Sequence, residues 1–205
     1  TANGTSTALV RAKVLDTNGL PISSTAVAFT TTLGTLSAAS ATTDASGFAS
    51  VTLTSGAKTG TAAVTATASG FSANGSVSFV AGVAIAPTVN ASPSTVNPNG
   101  TTTITAHVTD TNANVLVGQS VSFSVTTNVS GGSLVTTTAI TNANGDAVVT
   151  YTTGTTAVGI DIITATTSNG LSNTVNLTVN NSAQIVKTVS IETGASSITA
   201  NGSTT

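Results

Sequence analysis

The sequence predicts an all-β chain: two β-sandwiches in tandem, followed by a C-terminal strand that belongs to a following or neighbouring domain. Three observations predict it. The first is composition. The apolar fraction is 39%, mostly Ala, Val, Ile and Leu, with five Phe, one Tyr and no Trp or Met. Thr makes up about a fifth of the chain, and β-branched residues favour strands. The second is period-two alternation of apolar and polar residues, the mark of a strand with one buried face. The third is a phrase that occurs three times, as Thr1-Ala2-Asn3-Gly4-Thr5, Asn97-Pro98-Asn99-Gly100-Thr101 and Thr199-Ala200-Asn201-Gly202-Ser203. Its Asn-Gly pairs lie about 96 and then about 102 residues apart, the length of a sandwich domain and not of a solenoid rung.

The elements follow in order when the two halves are laid over each other. Val10, Ala12 and Val14 alternate with polar neighbours, and Ile104, Ala106 and Val108 match them. Each strand ends in Asp-Thr-Asn, at Asp16 to Asn18 and at Asp110 to Asn112. Asp and Asn bond their own backbone and tolerate the left-handed region, so these are turns. Next, Val27 and Phe29 point inward, matched by Val121 and Phe123. Thr43-Asp44-Ala45-Ser46-Gly47 matches Thr141-Asn142-Ala143-Asn144-Gly145, with a Gly to supply a positive φ. Ala49, Val51 and Leu53 match Ala147, Val149 and Tyr151, all inward. Ala62 to Thr67 matches Asp161 to Thr166, and Val77 and Phe79 pair in sequence with Val175 and Leu177. About six strand pairs per half, spaced by turn signals, suit a seven-stranded sandwich.

The halves differ at their openings. The second has a leader, Val83 to Val96, ahead of its Asn-Gly, and the first has none. The matching leader recurs at the far end, where Ile191-Glu192 aligns with Val89-Asn90 and Ser196-Ser197-Ile198 with Ser94-Thr95-Val96. The expected organisation is therefore residues 1–82 as a sandwich lacking its first strand, 83–182 as a complete sandwich, and 183–205 as the leading strand of the next repeat or a donor strand for a neighbouring subunit. Little room is left for a flexible linker between Phe79 and Val89.

The order of signals is Asn3-Gly4, Asp16-Thr17-Asn18, Val27-Ala28-Phe29, Leu33 to Ser37, Thr43 to Ala49 and Val64 to Thr67. It resembles the bacterial Ig-like domains of the intimin/invasin type, over nearly the whole chain. The resemblance implies tandem Ig-like sandwiches in surface proteins, acting as stalks or spacers beneath an adhesive tip, with no catalytic residues to carry over. The second copy departs by a few inserted residues around Asn128 to Gly132, expected to be a longer loop.

Several function classes are disfavoured. Arg11, Lys13, Lys58 and Lys187 are the whole basic complement, and the net charge is −2. Nucleic-acid binding needs clustered Lys and Arg, so no nucleic-acid partner is expected. No apolar run reaches the ~18 residues of a membrane span. Cysteine is absent, which removes disulfides and thiolate metal sites. No nucleophile–base pair is evident, so the chain is read as no enzyme, with no catalytic, cofactor or metal residues.

The remaining candidates have duller explanations. Asp16 with Asn18, and Asp110 with Asn112 and Asn114, offer oxygens for Ca²⁺ at a domain junction, but turn chemistry accounts for both copies. His107, aligned with Lys13, is read as a solvated outward residue. An isopeptide from Lys13 or Lys187 needs a buried Lys beside a buried acid, and Lys13 faces outward. Thr-x-Thr pairs (Thr52/Thr54, Thr65/Thr67, Thr103/Thr105, Thr150/Thr152, Thr164/Thr166) suggest ice or glycan binding, yet Thr is also a good strand residue for a wet face. Sequons at Asn3, Asn74, Asn90, Asn99, Asn128, Asn176 and Asn201 allow glycosylation without requiring it.

The sequence reading is thus a stalk or filament-shaft segment, extracellular or at the cell surface. Its partners are copies of itself or adjacent Ig-like repeats of the same chain. The joint is head to tail, by β-strand addition or by covalent continuation of the repeat. Val189, Ile191 and Ile198 are the expected inserted residues. The alternative is an adhesin module recognising a glycan, a host surface or ice.

Overall fold

The computed structural model describes residues 1–155, 157–180 and 190. Among them there is no helix, and the strands form four sheets. In the first half the strands are β1 (Thr7–Lys13), β2 (Ala26–Thr31), β3 (Thr35–Leu36), β4 (Ser40–Thr42), β5 (Phe48–Thr54), β6 (Gly60–Ala68) and β7 (Phe71–Phe79). They form one sheet in the order β1-β5-β3 and a second in the order β4-β2-β6-β7. In the second half they are β8 (Thr88–Ser92), β9 (Thr95–Val96), β10 (Thr101–His107), β11 (Ser120–Thr127), β12 (Ser133–Leu134), β13 (Thr138–Ile140), β14 (Asp146–Thr152), β15 (Gly159–Thr167) and β16 (Ser172–Val179). The sheets there run β12-β14-β10-β8 and β13-β11-β15-β16-β9.

Alternation determines which side chains meet between the sheets. Val27, Phe29, Ala49, Val51, Leu53, Ala62, Val64 and Phe79 form one buried cluster. Ile104, Ala106, Val108, Val121, Phe123, Ala147, Val149, Tyr151, Ile163 and Leu177 belong to another. Each cluster draws on both sheets of its half. The all-β, Ig-like architecture agrees with the sequence reading.

The repeated Gly turns are sterically fixed. Gly47 and Gly145 have φ of 78° and 80°. A Cβ on Gly47 would lie 2.7 Å from the Val14 carbonyl oxygen, and one on Gly145 2.9 Å from that of Val108. Each Gly lets the turn before β5 or β14 press against the end of β1 or β10.

One sequence pairing shifts. The registers place Ala62 opposite Val77 and Asp161 opposite Leu177, and likewise Gly60 opposite Phe79 and Gly159 opposite Val179. Val77 and Phe79 therefore correspond to Leu177 and Val179, two residues beyond the match made from sequence. The hairpin accounts for one of the two residues. Ala68 pairs directly with Phe71 across a two-residue turn, whereas Thr167 closes a longer one by accepting Leu171 into its backbone pattern, Thr167 N donating to Leu171 O at 2.9 Å.

Candidate interaction site

The leader of the second half works on both sheets. β8 runs antiparallel to β10, with Ala106 opposite Val89 and Ile104 opposite Ala91. The chain then turns at Pro93, and β9 runs parallel to β16, with Val179 opposite Val96. Val89 and Val96 are buried, and Ile104, Ala106 and Val108 are fully enclosed beneath them.

In the first half β1 pairs with β5, and no second strand lies along it among the described residues. The same face shows the consequence. Val10, Ala12 and Val14 are only half-buried where Ile104, Ala106 and Val108 are fully buried. Between β1 and β7 runs a groove of about 570 Å³, whose lining includes Ala12, Val14, Ile22, Ala66, Ala68 and Phe71. A smaller groove of about 140 Å³ continues it past Val10, Phe29 and Val64. Phe71, at the groove wall, is 83% exposed. Arg11 and Lys13 stand on the outward face of the same strand, the Arg11 guanidinium carbon 3.8 Å from the centre of the Phe48 ring and the Lys13 ammonium 5.3 Å from it. The expected inserted residues Val189, Ile191 and Ile198 lie outside the described residues.

The halves meet at the Asp110–Asn114 turn. The Asp110 carboxylate accepts Asn112 N at 2.8 Å, Asn114 N at 2.9 Å and Gly82 N at 2.8 Å, and both its oxygens accept the Asn114 amide. Burial raises its pKa. The hydrogen bonds from the Asn114 side chain and from the backbone of Gly82, Asn114 and Asn112 outweigh burial and hold it at about 2. From the same turn Asn114 donates to Ala57 O at 2.9 Å and accepts Thr59 N at 3.1 Å, and Lys58 donates to Asn112 O at 2.9 Å. The connecting segment is pinned as well, with Ala84 buried and Asn169 donating to Ala84 O at 2.9 Å. The calcium geometry is disfavoured, because both Asp110 oxygens are already engaged by N–H donors. No cluster of three or more His, Cys, Asp or Glu that could hold a metal occurs among the described residues.

A second polar network holds the inserted loop. Asp161, fully buried, accepts Val129 N at 2.7 Å, Ser130 N at 3.0 Å, Ser130 Oγ at 2.5 Å and Tyr151 OH at 2.9 Å. Burial pushes the Asp161 carboxyl up, but the Ser130, Tyr151 and Val129 donors more than reverse it, and its pKa is lowered. The Tyr151 phenol is pushed up to about 12, by burial first and then by the Asp161 charge. The sequence reading placed Tyr151 inward but gave Asp161 no role. The signal was present: Asp161 occupies the inward position of Ala62, beside the insertion.

His107 is not simply solvated. Its Nδ1 lies 2.7 Å from the Asp146 carboxylate, directly across the strand pair. Lys13 packs beside Phe48 rather than an acid, which leaves the isopeptide reading without a partner there. The Thr-x-Thr pairs fall on β5, β6, β10, β14 and β15, spread over four sheets, so they form no single array.

Residues 1–80 match the family described as bacterial Ig-like domain, group 1. Among solved structures, InvD of Yersinia pseudotuberculosis is 25% identical with a TM-score of 0.63, covering 93% of this chain and 57% of that one. The adhesin InvE of Yersinia pseudotuberculosis is 25% identical over 88% of this chain and 56% of its own, with a TM-score of 0.44. FdeC, an Escherichia coli adhesin, is 20% identical with a TM-score of 0.55 over 87% of this chain and 60% of its own, and shares the Ig-like fold. The chain thus spans little more than half the length of the InvE and InvD chains. No curated protein matches it.

Proposed function

We propose that this chain is a shaft segment of an adhesin-type protein at the cell surface. It is built from tandem Ig-like sandwiches at residues 1–82 and 83–182, with 183–205 opening the next joint. The observation that carries this reading is the contrast between the halves. In the second a leader strand closes both sheets, and in the first the same position is a groove beside a strand edge that no described residue pairs with. Such an edge pairs readily with an added strand. A contact of this kind is heterologous and does not close on itself, so repetition gives a line of modules rather than a ring. The hydrogen-bonded junction at Asp110 and Asn114 supports a mechanical role, since it ties each half to the other without a loose linker.

The strand arrives in one of two ways, as a donated segment of another chain or as the preceding stretch of one continuous polypeptide. Intact mass of the native surface structure under denaturing conditions separates them. A subunit near 20 kDa supports assembly, and a very large band supports continuation. A binding-module role makes a different demand, namely that altering the loop Asn128–Gly132 abolishes adhesion. That loop is tied down by Asp161 and by paired bonds between Asn128 and Gly132, which favours a structural role. Unchanged adhesion after the loop is shortened is the expected result.

A further inference from the structure

We propose that residues 186–198 of a second copy of this chain fill the first-half groove in the register that β8 takes on β10, and that a Glu192–Arg11 pair across the joint selects this occupant. The inference rests on the head-to-tail reading above and specifies its contacts.

The template is the second half itself. There Asn90 pairs with Thr105, and Val89 with Ala106. By the repeat, Thr105 corresponds to Arg11 and Ala106 to Ala12, while Asn90 corresponds to Glu192 and Val89 to Ile191. The transferred register puts Ile191 opposite Ala12, Thr193 opposite Val10, Val189 opposite Val14 and Glu192 opposite Arg11. The apolar residues then face the groove that leaves Val10, Ala12 and Val14 half-buried. Val189, Ile191 and Ile198 match Pro87, Val89 and Val96, each of which is buried in the second half. The donated stretch ends at Ile198, because the acceptor's own Ala2 is already buried and its N–H bonded to Val80 O at 2.7 Å.

Charge distinguishes this occupant from an arbitrary strand. Arg11 is the chain's one arginine and Glu192 its one glutamate. Arg11 stands on the outward face of β1, and the transferred register puts Glu192 directly opposite it. Opposite charges at such a position stabilise a strand pair, and like charges destabilise it. Phe48 beneath the Arg11 guanidinium holds it at the edge where Glu192 arrives. The internal joint has the uncharged pair Thr105 and Asn90 at this place, so the ion pair marks contacts between chains.

The test is a charge swap in the full 205-residue chain, read by sedimentation over a range of concentrations. Arg11→Glu alone and Glu192→Arg alone should each weaken self-association about tenfold, the effect of exchanging an attraction for a repulsion. The double variant should recover association to within a few-fold of the parent. A mixture of Arg11→Cys chains with Glu192→Cys chains should form an oxidised dimer, and Leu20→Cys in place of Arg11→Cys should not. Three results overturn the proposal: a parent chain that stays monomeric at every concentration, singles that associate like the parent, or a double variant no better than the singles. The rod reading is judged separately by the junction between the halves, so this joint can fail while that reading stands.

Discussion

The residue that sequence reasoning passed over, Asp161, is the one with the most to lose. It is a fully buried carboxylate that accepts four hydrogen bonds from Val129, Ser130 and Tyr151. In the first half the corresponding positions carry Ala62 and Leu53, and the core there is apolar. Removing one partner of a buried network strands the others. Asp161→Ala should therefore destabilise by about 3 kcal/mol in urea unfolding, and Tyr151→Phe by about 1–2 kcal/mol. The double variant should cost less than the sum, with a coupling of about 1 kcal/mol or more. Strict additivity would show that the two groups do not act as a unit. Both Asp110 and Asp161 have folded pKa values below their unfolded ones. Their contribution to stability is present above the ordinary carboxylate value near 3.8 and is lost as pH falls through the folded values, about 2 for Asp110. Thermal melts should fall steeply between pH 4 and 2, and Asp110→Asn should flatten part of that fall.

At the scale of elements, the strands were largely legible because their alternation is clean. Val27 and Phe29 on β2, and Ala147, Val149 and Tyr151 on β14, are buried as their spacing required. The offset of two residues at β16 was not legible, since a longer hairpin turn leaves the alternation of the strand that follows it unchanged. Nor was the His107–Asp146 contact, which needs the register between β10 and β14. The half-buried state of Val10, Ala12 and Val14, and the groove beside them, are visible only when β1 and β7 are placed together. This difference between equivalent strands is measurable. Among the described residues β10 has hydrogen-bonded neighbours on both sides and β1 has one. Amide exchange in the monomeric chain should be faster at alternate residues of β1 than at the matching residues of β10, by about tenfold or more. Equal protection would mean that the β1 edge is covered.

At the scale of the molecule, the outcome depends on whether the halves move as one body. Asn114 is the centre of that question. It bonds Ala57 O and Thr59 N across the junction while its own turn is held by Asp110. Its counterpart in the first half is Leu20, which sits in the same turn chemistry, its N–H donating to Asp16 at 2.9 Å, and is 61% exposed. A Leu is therefore compatible with the turn itself. Asn114→Leu should leave each half folded and remove the side-chain bonds that cross between them. The variant should melt within a few degrees of the parent by circular dichroism, because the lost bonds are few and lie at one end of each core. Small-angle scattering should instead show a broader distribution of maximum dimension, and NMR relaxation should give the two halves distinct tumbling times. If the scattering and the tumbling match the parent, Asp110 and the pinned segment from Gly82 to Ala84 hold the junction on their own, and its stiffness comes from the backbone connection rather than from the Asn114 clasp.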